Sequence, residues 1–393
     1  MDITIQPHKL QGSIDAIPSK SQAHRLLICA AFSDGPTHLI CPQTNQDIEA
    51  TAECLTQLGA RICRTQDGYF VEPIREIPKE TVVNCRESGS TLRFLLPIAG
   101  ALGVDCTFLM SGRLPQRPLS PMWEEMERMG CCLTRPDATS VRCTGKLRSG
   151  AYQIDGGISS QFITGFLLAL SLVDGPSTLQ ITGKIESLPY IQMTLRAMER
   201  FGVRIQDYKI PGNAHYCSPR ELVVEGDWSN AAFFLAAKAL GSDLQVGNLL
   251  PDSPQGDRAV VELLAALKQS CSIDASDIPD LVPILAVVAG AKQGASFRNI
   301  QRLRLKESDR VASVIAMLEA IGGKVLATED TLTVLGTGYR GGVIDSAGDH
   351  RIAMAGSVAA TVCTDPVTIL GAQCVSKSYP DFWEDYRRLG GKI

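Results

Sequence analysis

Three apolar segments in the first half of the chain begin with hydroxyl and basic residues that a buried helix does not need. They are Pro18–Arg25, Glu87–Arg93 and Gly156–Gln161. A helix start offers free backbone N–H groups and the positive end of the helix dipole, so with added hydroxyl donors it suits phosphate or carboxylate. Ordinary N-capping by serine is the alternative. Three such starts, two of them with arginine in the first turn, favour an anion site.

Basic residues also occur where loops meet helices, in both halves of the chain. Lys306 and Arg310 are four residues apart and are expected to share one face of an amphipathic helix. Cations at a helix start oppose the dipole, so we expect an anionic ligand there, with pairing to Glu307 or Asp309 as the alternative. Comparable basic residues are Arg113, Arg117, Arg351 and Lys377. Because these groups are divided between the halves, the sequence predicts a cleft that both halves close.

Two acidic residues are candidates for proton transfer. Asp280 stands at the expected start of an apolar helix, where it is either a base or only a cap. Glu307 lies among cations, which should keep it ionised and available as a base.

The composition excludes several other classes of protein. The net charge is −4, which argues against a nucleic-acid binder that works through bulk charge. Thirteen cysteines without a C-x-x-C pair, together with five scattered histidines, indicate buried free thiols and no structural metal site. No early stretch has the zones of a signal peptide, and the apolar runs near 94–103 and 280–291 are too short to span a bilayer. We therefore expect a cytoplasmic protein, and a monomer.

A sixfold repeat underlies the chain and predicts its fold. An amphipathic helix followed by glycine and then a strand recurs, as at Gly59, Gly130 and Gly202. A second helix, apolar nearly all round and so buried, recurs before a β-type segment; its copies start near Ser21, Ser90, Ser160, Ser229, Asp280 and His350. The pattern predicts an α/β protein of six βαβαββ-like units, arranged as two similar domains with the apolar helices inside.

The polar stretch Pro211–Arg220 marks the expected boundary between the two domains. The first domain is predicted to span 18–220. The second is predicted to be discontinuous, with 1–17 and 221–393, because the strand expected at Ile3–Gln6 can pair with the C-terminal half.

Eight segments, in order along nearly the whole chain, resemble those of the enolpyruvyl transferases, in particular the branch that uses shikimate 3-phosphate. They are Pro18–Arg25, Glu87–Arg93, Gly112–Pro118, Asp155–Gln161, Asp277–Asp280, Lys306–Arg310, Asp349–Arg351 and Lys377–Asp381. The family's fold, two domains of three βαβαββ units, agrees with the repeat count. The resemblance implies that the 5-hydroxyl of shikimate 3-phosphate adds to C2 of phosphoenolpyruvate. A tetrahedral intermediate then loses phosphate, and no metal or organic cofactor is required.

The resemblance also implies individual roles. Asp280 would accept the hydroxyl proton, and Glu307 with Lys20 would handle protonation and deprotonation at the methylene carbon. Shikimate 3-phosphate would be bound by Lys20, Ser21, Arg25, Ser159, Ser160, Gln161, Ser187, Tyr190, Asp280 and Lys306. Phosphoenolpyruvate would be bound by Lys20, Gly89, Arg117, Gln161, Arg310, Arg351 and Lys377.

The sequence departs from the family pattern at three positions. Glu87 and His24 stand where many members have asparagine, and Arg302 stands where some members bind the shikimate phosphate through asparagine. Gly89 is retained, and we therefore predict that glyphosate inhibits the protein.

Three alternatives to this function differ in what they require. A UDP-N-acetylglucosamine enolpyruvyl transferase usually carries a cysteine in the loop that here spans 111–118 and has none. A non-catalytic repeat scaffold has no need for Asp280, Glu307 and the junction cations. An RNA-end cyclase of related architecture requires nucleotide binding, for which the sequence has no P-loop.

Overall fold

A computed structural model describes all 393 residues, which form two compact units. Unit 1 comprises Met1–Ile17 and Glu225–Ile393, and unit 2 comprises Pro18–Val224. The second crossing therefore lies four residues beyond the boundary expected at 220/221. The domain division at 18–220 and 1–17 with 221–393 stays a prediction.

Twelve α-helices and twenty β-strands alternate along the chain. The helices are α1 (Lys20–Ala31), α2 (Gln46–Gln57), α3 (Gly89–Leu102), α4 (Met122–Arg128), α5 (Ser160–Leu170), α6 (Leu188–Arg200), α7 (Trp228–Ala239), α8 (Val260–Ala266), α9 (Val282–Ala291), α10 (Arg310–Ala320), α11 (His350–Ala360) and α12 (Phe382–Arg388). The strands are β1 (Ile3–Ile5), β2 (Gln11–Asp15), β3 (Thr37–Ile40), β4 (Arg61–Arg64), β5 (Gly68–Glu72), β6 (Glu80–Asn84), β7 (Asp105–Leu109), β8 (Cys131–Thr134), β9 (Ser140–Gly145), β10 (Ala151–Asp155), β11 (Ser177–Thr182), β12 (Lys209–Ile210), β13 (Glu221–Val223), β14 (Asp243–Gly247), β15 (Cys271–Asp274), β16 (Ala295–Arg298), β17 (Lys324–Ala327), β18 (Thr331–Leu335), β19 (Gly342–Asp345) and β20 (Val367–Leu370).

Each unit contains three sheets, and the sheets repeat one pairing scheme. Three four-stranded sheets have the orders β13-β3-β5-β4, β6-β7-β9-β8 and β15-β16-β18-β17. In each, the first pair is parallel and the two following pairs are antiparallel. The other three sheets are shorter versions, β10-β11-β12, β14-β2 and β1-β20-β19. The repeat read from the sequence is thus visible in the strand pairing, and β1 pairs within unit 1 as expected.

The apolar helices form the cores of the units. In α9 every residue from Val282 to Gly290 is buried, and in α5 every residue from Phe162 to Leu170 is buried. A helix without a polar face has no stable position at a surface, so these helices are covered and only their ends remain available to polar ligands. The predicted α/β class with buried apolar helices is confirmed. None of the helices combines the length and apolar character that crossing a bilayer demands.

Two helix starts differ from the prediction. The helix α9 begins at Val282, and its cap residue Leu281 makes no side-chain capping bond, so Asp280 precedes the helix and is not its cap. The helix α10 begins at Arg310 with Asp309 as the cap, whereas Lys306 ends a 3-10 turn, Gln301–Leu305. The expectation that Lys306 and Arg310 share a helix face is therefore wrong, because Asp309 is a good N-cap whereas Leu305, which would cap a helix that starts at Lys306, is a poor one.

Candidate active site

The starts of α1, α3 and α5 in unit 2 are capped by serines. The side chains of Ser19, Ser88 and Ser159 accept hydrogen bonds from backbone N–H groups in the first turns of the three helices. The three serines therefore act as caps, and Ser159, which accepts the Gln161 N–H through its oxygen, still has a hydroxyl hydrogen to donate to a ligand. The residues that follow each cap remain at the positive helix ends, where donors for an anion are needed.

Gln161 links the starts of α3 and α5. Its amide nitrogen donates to Ser90 Oγ at 3.0 Å, and its carbonyl oxygen accepts from Arg93 Nη1 at 3.1 Å. Because both ends of the amide are engaged, the orientation of Gln161 is fixed relative to the two helices. Ser160, at the first position of α5, is buried.

Arg25 is a buried cation whose hydrogen-bond partners are all uncharged. Its guanidinium donates to Thr194 Oγ1 at 2.8 Å, to the Tyr190 carbonyl at 3.0 Å and to the Ser21 carbonyl at 2.6 Å. Burial lowers the pKa of Arg25 to about 10, which still leaves it charged at neutral pH. No carboxylate lies within ion-pair distance of this side chain. A buried charge without a counter-ion is costly, so Arg25 is poised to bind an anion.

Gly89 is the point where two guanidinium groups approach the start of α3. A Cβ atom at this position would lie 2.6 Å from Arg117 Nη1 and 2.7 Å from Arg93 Nη1. Glycine therefore allows both cations to lie against the free N–H groups of the helix start. Arg93 is buried and donates to the Pro118 carbonyl at 3.1 Å. The sequence analysis gave Arg93 no role of its own.

Lys20 has an acidic partner that the sequence did not reveal. Its ammonium donates to Asp47 Oδ2 at 2.9 Å, and Asp47 is buried in the first turn of α2. An acidic residue in a first helical turn is ordinary, so nothing marked Asp47 as a partner of Lys20. The ion pair holds the ammonium in one position at the start of α1.

Ser187 and Tyr190 belong to the turn that opens α6. Ser187 is buried with φ of 57°, in the left-handed region, and precedes the helix. The carbonyl of Tyr190 is the one that Arg25 binds. The structure thus groups Ser21, Arg25, Ser187 and Tyr190, which the resemblance assigned to one substrate.

Asp280 is the centre of a second cluster, in unit 1. Its carboxylate accepts hydrogen bonds from Arg310 Nη1 at 2.8 Å and Arg351 Nη2 at 3.1 Å, and Lys306 Nζ lies 3.7 Å away. Burial alone would raise the pKa of Asp280, but the charges of Arg351, Lys306 and Arg310 hold it well below its usual range. The carboxylate is therefore ionised at neutral pH.

Arg310 is fully buried and binds three different carboxylates. Besides Asp280, it donates to Glu307 Oε2 at 2.6 Å and to Asp349 Oδ2 at 3.0 Å. Against the effect of burial, Asp349, Glu307 and Asp280 raise the pKa of Arg310 above its usual value. This guanidinium therefore organises the acidic side of the cluster.

Asp349 positions both arginines of this cluster. It caps α11, accepting from the Arg351 N–H at 3.0 Å, while its other oxygen accepts from Arg310 and from Ser308 Oγ. The sequence analysis quoted Asp349 only as part of a motif, because an aspartate before a helix is an ordinary cap.

Two further lysines of unit 1 differ in their surroundings. Burial lowers the pKa of Lys306 to about 8, with Asp280 raising it and Arg310 lowering it further. Lys377 is buried at the end of the 3-10 segment Ala372–Lys377. Arg302, in the segment after β16, donates to the Ser276 carbonyl at 2.9 Å and so contacts the loop that follows β15.

Asp257 is a buried carboxylate next to this cluster that sequence reasoning missed. Ser229 Oγ donates to one of its oxygens, and the other oxygen has no hydrogen-bond partner. Burial, and then the negative charge of Asp280, raise the pKa of Asp257 to about 7. No pattern in the sequence places residue 257 beside residue 280.

The departures from the family pattern are also placed. His24 is buried, its Nδ1 is bonded to Thr51 Oγ1 at 2.7 Å, and burial lowers its pKa to about 3, so it is neutral. Glu87 lies against Gly112, where a Cβ atom would be 2.2 Å from Glu87 Oε1. Gly112 also has φ of 56°, in the left-handed region. Glycine is therefore required here both by the backbone conformation and by the lack of space for a side chain.

Comparison with known proteins gives consistent results over the full length. The family model for EPSP synthase (3-phosphoshikimate 1-carboxyvinyltransferase) matches residues 5–386. Proteins named 3-phosphoshikimate 1-carboxyvinyltransferase are 39% identical in Clostridium kluyveri, covering 100% of this chain and 98% of that protein, and 38% identical in Clostridium beijerinckii, covering 99% and 98%.

Solved structures support the fold. The structure of EPSP synthase from Acinetobacter baumannii has a TM-score of 0.80 at 23% identity, covering 99% of this chain and 98% of that one. The enolpyruvyl transferase NikO from Streptomyces tendae has a TM-score of 0.73 at 17% identity, covering 100% and 97%. At these identities the likeness concerns the fold alone.

Proposed function

Since the chain belongs to the EPSP synthase (3-phosphoshikimate 1-carboxyvinyltransferase) family, we propose that it transfers the enolpyruvyl group of phosphoenolpyruvate to the 5-hydroxyl of shikimate 3-phosphate and releases phosphate. This is a step of aromatic amino acid biosynthesis. The observation that carries the proposal is Asp280, an ionised carboxylate held between Arg310 and Arg351 with Lys306 beside it. A base among cations suits the deprotonation of a hydroxyl next to anionic reactants.

The cations of each unit are assigned to particular substrate groups. In unit 2, Arg25 and Ser21 bind the phosphate of shikimate 3-phosphate. Lys20 and the Ser159, Ser160 and Ser187 hydroxyls bind its phosphate and hydroxyl groups, and Tyr190 lies beside its ring. Gly89 and Arg117 bind phosphoenolpyruvate together with Gln161, which also contacts the acceptor. In unit 1, Arg310, Arg351 and Lys377 bind phosphoenolpyruvate, and Lys306 binds shikimate 3-phosphate. Supporting this assignment, Arg25 is a charge without a counter-ion.

Asp280 becomes a competent base only when the substrates are bound. Its pKa is depressed because Arg351, Lys306 and Arg310 surround it, and so strongly stabilised a carboxylate accepts protons poorly. Anionic groups of the substrates neutralise part of this positive charge. The pKa of Asp280 then rises towards the range in which it can take the hydroxyl proton.

Glu307 and Lys20 complete the chemistry at the methylene carbon. Addition of the 5-hydroxyl oxygen to C2 requires a proton at C3, and loss of phosphate requires that a C3 proton leaves again. Glu307 is hydrogen-bonded to Arg310, and Lys20 is held by Asp47, so each has a defined position. These proton transfers at C3 need no metal and no organic cofactor. Holding both reactants in place supplies much of the rate gain.

The remaining expectations concern the state of the protein. We place the reaction in the cytoplasm, because both substrates are diffusible metabolites, and we propose that the protein is a monomer without nucleic-acid partners. Sedimentation of the purified chain with and without substrates measures the oligomeric state directly.

The function is tested by measuring phosphate release from phosphoenolpyruvate with two competing acceptors. With shikimate 3-phosphate we expect turnover and a product heavier by one enolpyruvyl group, and with UDP-N-acetylglucosamine we expect neither. Turnover with the sugar nucleotide alone would favour the alternative transferase. A wild-type protein without turnover on either acceptor would contradict the proposal and leave the scaffold alternative.

A further inference from the structure

Three side chains with different metal-ligating groups meet on unit 2, away from the residues assigned to the reaction. They are Asp34, His215 and Cys217, and one donor atom of each lies within 4.8 Å of the others. His215 Nε2 is 3.5 Å from Asp34 Oδ2. A carboxylate, an imidazole and a thiol together form a donor set that zinc uses in proteins.

The backbone holds Asp34 in place relative to the other two residues. The Asp34 N–H donates to the Tyr216 carbonyl at 2.8 Å, and the Ser218 N–H donates to Asp34 Oδ1 at 2.8 Å. One carboxylate oxygen is thereby tied to the 215–218 segment, and the other faces His215. The proximity does not depend on a contact between flexible side chains.

The segment that carries His215 and Cys217 is held in place by hydrogen bonds from a side chain and from the backbone. The side chain of Tyr216 is buried and its hydroxyl pairs with Ser171 Oγ at 2.8 Å, while the Cys217 N–H donates to the Phe201 carbonyl at 2.7 Å. In an extended segment, residues two apart point to the same side. His215 and Cys217 are both exposed, and they flank the buried Tyr216.

The donor set selects the class of ion. Calcium and magnesium prefer oxygen ligands, whereas a thiolate and an imidazole favour zinc and similar transition metals. Zinc bonds of about 2.0–2.3 Å bring donors to roughly 3–4 Å from one another, so small rotations of exposed side chains close the present spacing. Arg75 donates to the Asp34 carbonyl rather than to its carboxylate, and Ser218 occupies only Oδ1, so Oδ2 is available to an ion.

We propose that Asp34, His215 and Cys217 form a surface site for one Zn²⁺ ion, with water at the fourth position. The thiol proton passes to solvent as the zinc–sulfur bond forms. The bound ion connects the end of α1 to the segment before β13, two parts of unit 2 that are far apart in the chain. The sequence analysis predicted no metal site, because the spacing it searched for lies within one segment, whereas Asp34 is remote from Cys217 in sequence.

Zinc titration of the purified full-length chain against a chromophoric chelator tests the site. We expect one equivalent to bind, His215→Ala and Cys217→Ser each to weaken binding at least tenfold, and the unfolding temperature to rise with zinc concentration. With Co²⁺ as a probe, the thiolate-to-cobalt absorption should disappear in C217S. Enzyme activity is not the readout, so the outcome is independent of the proposed function.

Matched controls lie in the same unit. Cys63 and Cys132 are exposed thiols, and His38 faces Asp67 and Glu221 without a thiol; C63S, C132S and H38A should bind zinc like the wild type. The affected side chains are exposed, and metal-free unfolding of each variant verifies its fold. Equal zinc affinity of the wild type and the H215A/C217S double variant would overturn the proposal, as would a cobalt–thiolate absorption that persists in C217S.

Discussion

Two buried arginines, one in each unit, have different kinds of partners. In unit 2, Arg25 donates to threonine hydroxyls and backbone carbonyls, and no carboxylate neutralises it. In unit 1, Arg310 is equally buried but donates to three carboxylates, including Asp280 and Asp349. Both arrangements keep a guanidinium in a protein interior, but only the first retains an uncompensated positive charge.

The difference indicates separate tasks for the two clusters. An arginine with neutral partners can bind a phosphate without first breaking an ion pair, so it is suited to affinity. A balanced network of cations and carboxylates keeps acids and bases ionised until an incoming anion shifts the balance, so it is suited to proton transfer. Lys20, paired with Asp47, is a basic residue of unit 2 that resembles unit 1 in this respect.

The largest effect is expected at the centre of unit 1. Asp280→Asn keeps the size of the side chain but removes the base, so kcat should fall by about 100- to 10,000-fold. Binding of shikimate 3-phosphate should change much less. Phosphate release measures the first quantity, and calorimetry of the acceptor measures the second.

The matched control for Asp280 is Asp252→Asn, at an exposed aspartate of the same unit. It should leave kcat unchanged. A D280N protein that retains wild-type turnover would remove Asp280 from the chemistry and would assign it a purely structural role in holding Arg310 and Arg351.

The next largest effect should separate affinity from chemistry in unit 2. Arg25→Met removes the uncompensated cation, and hydrogen bonds to a charged group are each worth about 1.5–3 kcal/mol. The dissociation constant of shikimate 3-phosphate should therefore rise by about 10- to 100-fold. Calorimetry measures the constant, and Arg196→Met, at an exposed position of α6, is the control.

Because Arg25 is buried, its replacement also affects folding. Thermal unfolding distinguishes the two effects, and Arg25→Lys retains the charge while losing part of the hydrogen bonding. If R25M binds shikimate 3-phosphate as tightly as the wild type, the contrast between the two clusters has no functional meaning.

A smaller effect is expected where unit 2 brings two guanidinium groups to a helix start. Gly89→Ala places a methyl group where Arg117 and Arg93 approach within 2.6 and 2.7 Å, so both must move. The KM for phosphoenolpyruvate should rise about tenfold, equivalent to about 1.4 kcal/mol, and glyphosate should inhibit the variant less than the wild type.

Gly35→Ala is the control for the methyl group itself, because a Cβ atom there meets only Ser218 Cβ at 3.8 Å. Steady-state kinetics with and without glyphosate measures all three proteins. Full wild-type activity at glyphosate concentrations far above the phosphoenolpyruvate KM would refute the predicted sensitivity.

What the sequence could predict depends on whether the signal is local. The starts of the buried helices were recognisable because hydroxyl and basic residues such as Ser21 and Arg25 have no place on an otherwise apolar helix. Asp47 and Asp349 were not recognised, because acidic residues in these positions normally serve the helix itself. Their partners, Lys20 and Arg310, are 27 and 39 residues away, a distance that no local pattern spans.

The wrong prediction that Lys306 shares a helix face with Arg310 has a related cause. A spacing of four residues places two side chains on one face only inside a helix, and the cap at Asp309 starts the helix at Arg310, four residues after Lys306. The lysine still reaches Asp280, but through a turn of the loop. Helix boundaries are the least reliable part of a sequence-based prediction, and here the boundary decides whether Lys306 approaches Asp280 from a helix or from a loop.

The smallest effect concerns Asp257, a buried carboxylate of unit 1 whose pKa is raised to about 7. Its unfolded pKa is near 4, so between about pH 4 and pH 7 the folded protein binds a proton that the unfolded chain has released. Stability from this group is therefore fully present at about pH 4, is lost as the pH rises to about 7, and is constant above. Asp257→Asn should abolish this decline.

Urea unfolding at a series of pH values measures the decline in the wild type and in D257N. Asparagine can still accept a hydrogen bond from Ser229, so the variant retains the contact that fixes the side chain. Asp280 has the opposite effect on the pH dependence of stability. Its pKa is depressed, so its contribution to the free energy of unfolding is lost only as the pH falls. If D257N and the wild type show the same slope between pH 4 and pH 7, Asp257 is ionised like its neighbours.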